Sequence, residues 1–176
     1  MSNLAKIAQV LTPTEIAAGI GWYPMARRHS RRIARAHRST EHRAAGVISA
    51  LSPRCRWAQN LIRADDAFRT GTARGLFADK AQAILNGARP LDTLRGPKTR
   101  SFYRNITGNL QAVTIDTWAL GAVLGTRDKR ILHNTIERVG EYEAAADEYR
   151  SVASWFGLRP AEFQAAVWVH VRGSST

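Results

Sequence analysis

Apolar residues recur at three- and four-residue steps along almost the whole chain, and alternating β-branched runs are short, so the pattern predicts an all-α protein. Residues 13–20 (PTEIAAGI) read as a first helix, with Thr12 as its cap and Pro13 at the first helical position. Gly19 and Gly21 are expected to loosen the chain before Trp22, Tyr23 and Pro24. A second helix, ARRHSRRIARAHR, then sets Arg28, Arg31, Arg32, Arg35 and Arg38 along one face. Residues 41–51 form a helix with Val47, Ile48 and Leu51 inward. It stops at Ser52-Pro53, where proline is expected to open another helix through RCRWAQNLIRADDAFR, with Trp57, Leu61, Ile62 and Phe68 as its stripe.

Gly71 and Gly75 frame a connector, ADKAQAILNG makes a short helix ended by Gly87, and LDTLRG is a single helical turn. Gly96-Pro97 reverses the chain, and KTRSFYRNI begins the next helix with Phe102 and Ile106 buried. Asp116 stands where it can cap TWALGAVLG. After polar residues 126–134, a long helix is expected over about 135–155, with Ile136, Val139, Tyr142, Ala146, Tyr149 and Val152 on its buried side. Gly157 ends it, and Pro160 opens a last helix, AEFQAAVWVHV, before an unstructured GSST tail. No repeat or low-complexity linker divides the chain, so one helical domain over 1–176 is expected, its first forty residues basic.

Charge adds a partner to this picture. Twenty-six Lys and Arg against fourteen Asp and Glu give +12 and a pI near 11.1, a balance that seeks polyanions. Residues 1–60 hold ten basic and two acidic residues, and nine of the ten are arginine, whose planar fork pairs phosphate oxygens two at a time. Two readings fit the arginine face of residues 27–38: a solvated surface, or one that tracks a phosphate backbone. The lone Cys55 excludes an internal disulfide. No apolar run approaches the roughly 20 residues that span a bilayer, so a soluble, cytoplasmic protein without membrane partners is expected. His37 and His42, five apart and without cysteine pairs, lack metal-ligand spacing; no metal and no cofactor are expected.

The candidate chemistry lies in LRGPKTRSFYRNITGNLQAVTIDTWALGAV, where Lys98 and Asp116 each stand at the start of a helix. A lysine whose amine is neutral can form a Schiff base, and a facing carboxylate can steady positive charge or move a proton. Both suit attack at the anomeric carbon of a nucleoside. The aromatic residues Tyr23, Trp118 and Trp168 can stack on a base, although tryptophan serves more often as core. Trp118 is one helical step from Asp116, and Gln164, Trp168 and Arg172 share a face of the last helix.

Residues 91–106, a helical turn, a glycine-containing reversal and a second helix, match a helix-hairpin-helix, in which backbone N–H groups at the turn bind a DNA phosphate. With Lys98-Thr99 opening that second helix and Ile115-Asp116-Thr117 following it, the sequence resembles the helix-hairpin-helix DNA glycosylases, the superfamily of endonuclease III-like enzymes. The resemblance covers about residues 44–125. It implies a glycosylase-like helical fold, Lys98 as Schiff-base nucleophile, Asp116 as catalytic carboxylate, and a loop after Ser49-Ala50-Leu51-Ser52 that probes the base stack.

Taken together with the charge and aromatic readings, Gly96, Thr99 and Arg100 with Arg28, Arg31, Arg32 and Arg35 would hold phosphates. Ser52, Arg54 and Arg56 would fill the vacated stack, and Trp118, Tyr23, Gln164 and Trp168 would line a base pocket. LRGPKT is two residues shorter than the family's usual hairpin, and its proline removes one backbone donor. A closer resemblance is to short bacterial and phage proteins with GWYP, ALSP, GxKTRxFYxNI, VTxDxWA and QAxxWVxxRG segments, which brings no activity with it. The expected protein is therefore a monomeric DNA-binding enzyme of a bacterial or phage-infected cell that cleaves an N-glycosidic bond in duplex DNA carrying a flipped or modified base. A transferase that alters a modified phage base, or a DNA-binding module without catalysis, remains open on the same fold.

Overall fold

The structure, a computed structural model, describes residues 1–173; residues 174–176, the end of the GSST tail, lie outside the described residues. Eleven α-helices and no strand occur among the described residues, so the protein is all-α.

α1 (Asn3–Val10) lies ahead of the first helix that the periodicity predicts; the Ser2 hydroxyl caps it and Leu4, Ala5 and Ala8 are its buried side. α2 (Pro13–Ala36) opens on a reciprocal cap, in which the Glu15 carboxylate accepts from the Thr12 N–H at 2.7 Å and the Thr12 hydroxyl accepts from the Glu15 N–H at 3.2 Å. This helix corrects the expected break at Gly19–Pro24, because it runs unbroken for 24 residues with Pro24 inside it. Pro24 has no N–H for the Ile20 carbonyl, a cost that packing on both sides offsets. Before it, Gly19 lies against the Ala166 backbone and the Tyr23 hydroxyl bonds Gln164. After it, Ala26, Ser30 and Ile33 are buried, and the Ser30 hydroxyl donates to the Glu41 carbonyl at 3.2 Å.

The chain divides at this point into two compact units: Met1–Tyr23 with everything from Leu110 onward, and Pro24–Asn109. The Pro24–Asn109 unit is built around α3 (Glu41–Leu51), capped by the Thr40 hydroxyl and buried at every position from Ala44 to Leu51. Gly46 lets α6 (Pro90–Thr93) approach, since a Cβ there would stand 2.8 Å from the Pro90 ring. α4 (Trp57–Thr70), α5 (Ala78–Leu85) and α7 (Pro97–Ile106) complete the unit, with Ile84, Leu94, Phe102 and Ile106 buried.

Pro53 does not open a helix, contrary to the sequence reading. The Ser52 hydroxyl instead turns back onto the Ser49 carbonyl at 2.9 Å, Cys55 N–H bonds the Ser52 carbonyl, and Arg54 takes a left-handed φ of 55°. That turn occupies the residues a helix would need, so α4 starts four positions after Pro53. Ile62, expected inward, is exposed, whereas the polar Asn60 is buried and donates to the Ile48 carbonyl at 3.0 Å.

Glu41 accepts from Arg27 Nε at 2.6 Å and from Arg31 Nε at 2.8 Å. Partial burial works to raise its carboxyl, and the Arg31 and Arg27 contacts overcome that and hold it below the ordinary 4.5. A depressed carboxylate stabilises the fold above its unfolded pKa and loses that contribution as pH falls through the lower folded value. Glu41→Gln is therefore expected to cost about 1 kcal/mol at neutral pH, given the half-exposed arginines, and nothing once the wild-type carboxylate is protonated. Denaturant titrations of both proteins at neutral and acid pH measure the difference.

The other unit joins α1 and the first half of α2 to α8 (Thr117–Leu124), α9 (Lys129–Ile136), α10 (Glu141–Trp155) and α11 (Pro160–Arg172). Leu4, Val113, Ile115, Leu120, Tyr149, Phe163 and Val167 form its core. The long helix expected over 135–155 is two helices. Asp128 caps α9 by accepting from Arg130 and Ile131 N–H, Gly140 takes a left-handed φ of 88°, and Val139 between them is fully exposed. The pattern KRILHNTI is amphipathic, but its apolar positions are few enough to be read as a polar connector.

Candidate functional site

Residues 113–115 lead into α8 buried and tied to α10. The Tyr142 hydroxyl donates to the Val113 carbonyl at 2.9 Å and accepts from the Ile115 N–H at 3.1 Å, while the Tyr149 hydroxyl donates to the Ala119 carbonyl at 3.1 Å. These tyrosines fix the backbone on both sides of Asp116. Burial pushes the Tyr149 phenol well above its ordinary value, with the Asp116 charge acting in the same direction.

Asp116 is half-buried at the N-cap of α8, where one oxygen accepts from the Ala119 N–H at 2.8 Å and the other from the Trp168 indole N–H at 3.2 Å. Both carboxylate oxygens are thus oriented, one by helix geometry and one by a side chain 52 positions away. Trp168 stands edge-on to Trp22 with centroids 6.2 Å apart, Trp22 edge-on to Tyr23 at 5.0 Å, and the Arg172 guanidinium lies 4.6 Å from the Trp168 ring centre. Tyr23 donates to Gln164 Oε1 at 2.9 Å, and both side chains are buried. Burial raises the Tyr23 phenol; a Thr114 hydrogen bond opposes that, and the Asp116 charge adds to it.

Four sequence candidates therefore meet in one unit: Asp116, Tyr23, Gln164 and Trp168. Tyr23 and Gln164 brace the cluster from within, whereas Trp168 forms its half-open side. Trp118 goes elsewhere, onto the wall of a separate cavity with Arg127. The sequence reading missed the Tyr142 clamp, since a tyrosine on an apolar helical stripe looks like any other core residue.

The remaining candidates belong to the Pro24–Asn109 unit. Lys98 is the second residue of α7 and half-buried. The Thr99 hydroxyl donates to the Gly96 carbonyl at 3.0 Å, and Arg100 Nη1 donates to the Leu91 and Leu94 carbonyls at 2.6 and 3.2 Å. Those two side chains hold the turn between α6 and α7 closed. Arg28, Arg32 and Arg35 are exposed on α2, while Arg31 is drawn to Glu41. Burial, with the neighbouring Arg32 and Arg28 charges, lowers the pKa of His29. Arg54 and Arg56 are exposed in the loop after α3, and the Ser52 hydroxyl is engaged with Ser49.

Among the described residues no three His, Cys, Asp or Glu side chains gather as a metal would require, and no helix is long and apolar enough to cross a membrane. The family model that describes a family of unknown function, DUF7178, matches residues 1–175. The chain belongs to that family. No curated protein and no solved structure matches it. The DUF7178 match takes in both units and every candidate residue named above.

Proposed function

We propose that this DUF7178 protein binds DNA and acts on a deoxynucleotide drawn out of the duplex, cleaving its N-glycosidic bond. The observation that carries the reading is Asp116, a half-open carboxylate with each oxygen aimed by its own donor, set among the rings of Trp22, Tyr23 and Trp168. A fixed carboxylate beside a sugar stabilises the positive charge that develops as a base departs, and it does so without reorganising during the reaction.

The Pro24–Asn109 unit supports the DNA part of the proposal. Arg28, Arg32 and Arg35 form an exposed basic face on α2, and α6, its turn and α7 present the N-terminus of a helix next to Arg95 and Lys98. The Lys98 amine is the proposed nucleophile. Its attack on the anomeric carbon expels the base with the bonding electrons, and ring opening leaves an imine between lysine and sugar. Borohydride reduction in the presence of damaged or abasic duplex should therefore trap a covalent protein–DNA adduct that Lys98→Ala cannot form. Full base release by Lys98→Ala, with no adduct from either protein, would take lysine out of the mechanism and leave water as the nucleophile beside Asp116.

A further inference from the structure

The cavity that takes Trp118 is not part of the Asp116 cluster, and the proposed function leaves it unused. It lies between α1, α8, α9 and the end of α11, within a single unit, with a volume of about 750 Å³. Pockets for small organic ligands span about 300–1,000 Å³. We propose that it binds a nucleoside monophosphate, with the base against Trp118 and the phosphate on Lys6, Arg127 and Lys129.

The walls divide by chemistry. Leu132 and Val171 contribute apolar surface, and Trp118 adds an indole that is 39% exposed. A large aromatic surface left open to water at the mouth of an apolar cavity is what an incoming ring would cover. Lys6, Arg127 and Lys129 supply three exposed cations, and among the described residues no acidic side chain lines the space. None of the three takes part in an ion pair among the described residues. Asp128, the carboxylate next to two of them in sequence, is engaged in capping α9.

Arg127 links the two halves of this site. Its guanidinium carbon stands 5.9 Å from the Trp118 ring centre, and Nη2 donates to the Val171 carbonyl at 3.3 Å. The side chain is thereby held at the boundary of ring and rim, with further N–H groups able to meet an anion.

A neutral apolar ligand would leave three cations without a counter-charge. A simple anion would leave Trp118 and the apolar wall uncovered. A planar ring carrying a phosphate answers both. That the ring is a nucleobase rests on the proposed function; the requirement for ring plus phosphate rests on the cavity alone.

Thymidine 5′-monophosphate titrated into the full chain, followed by calorimetry and tryptophan fluorescence, tests this. Saturable binding is expected, weakened about tenfold or more by Trp118→Leu, since the base then loses the aromatic side chain it stacks on. Arg127→Ala and the Lys6→Ala/Lys129→Ala pair should weaken it similarly, with helical content by circular dichroism unchanged. Thymidine and inorganic phosphate should each bind far more weakly than the monophosphate.

No binding of the monophosphate, or equal binding by all the variants, overturns the proposal. Inorganic phosphate binding as tightly would reduce the cavity to a plain anion site, and phenyl phosphate binding as tightly would overturn the nucleobase. Duplex DNA binding measured on the same samples separates the two readings. Monophosphate binding without DNA binding would sink the proposed function and spare the cavity, and DNA binding without monophosphate binding would do the reverse. Arg28→Ala/Arg32→Ala/Arg35→Ala should weaken only the DNA complex.

Discussion

Gly19→Ala is expected to destabilise the protein by about 2 kcal/mol, although alanine is the better helix former. A Cβ on residue 19 would stand 2.5 Å from the Ala166 amide nitrogen and 2.7 Å from the Ala166 Cα. Both contacts are backbone of α11, which cannot swing aside as the end of a side chain can. To relieve them α2 and α11 must part, and α11 carries buried Phe163 and Val167 as well as Gln164, whose bond to Tyr23 spans the same two helices. Separation would therefore open a packed core rather than a surface.

Gly21, two positions along the same helix, is the internal comparison. It is exposed, and a Cβ there meets nothing within 4 Å. Gly21→Ala should therefore stabilise the chain by roughly 0.5–1 kcal/mol, because glycine in a helix interior loses more backbone freedom on folding than alanine does. Thermal melts of both variants against wild type give the test: shifts of opposite sign are expected, with Gly19→Ala lower by roughly 4–8 °C. Equal shifts would mean that α2 and α11 do not approach as closely as the structure places them.

The second large effect concerns Asp116. Asp116→Asn should lower base release by about a hundredfold or more while leaving DNA affinity within about twofold, the signature of a group needed in the transition state and not for binding. The substitution is chosen to spare the fold. Its amide oxygen can still accept from the Ala119 N–H and cap α8, now as a neutral acceptor, while the amide nitrogen, a donor, leaves the Trp168 indole N–H without its acceptor. Asp116→Ala removes both and should cost a further 1 kcal/mol or so through the lost cap. Full base release by Asp116→Asn would reduce Asp116 to a helix cap and take its carboxylate out of the mechanism.

Helix existence was largely legible in the chain. Thr12, Asp116 and Pro160 stand where α2, α8 and α11 begin, and Gly71 and Gly157 take left-handed φ values where α4 and α10 stop. These are local effects, in which an N-cap needs an acceptor near three exposed N–H groups and a helix end needs a residue tolerant of positive φ. The arginine face of α2 was legible for the same reason, since side chains three and four apart must share a helical face.

What failed were inferences from single-residue signals that tertiary packing, or a competing local turn, overrides. Gly19, Gly21 and Pro24 carry breaker chemistry in sequence, yet α2 passes through them because a close approach at Gly19 and buried residues on both sides of Pro24 outweigh one absent hydrogen bond. Pro53 carries starter chemistry, yet the Ser52 turn forestalls the helix.

The candidate site divides along the same line. Composition and spacing by themselves determined an all-helical, strongly basic chain with an aspartate capping a helix and a lysine opening another, because those properties depend on neighbours a few residues apart. Only the tertiary structure decided that Asp116 meets Trp168 across 52 positions, that Tyr23 and Gln164 close on each other across 141, and that Trp118 turns to a cavity rimmed by Lys6 and Lys129. Such contacts depend on how helices distant in sequence pack, and no periodicity within a single helix encodes its partner.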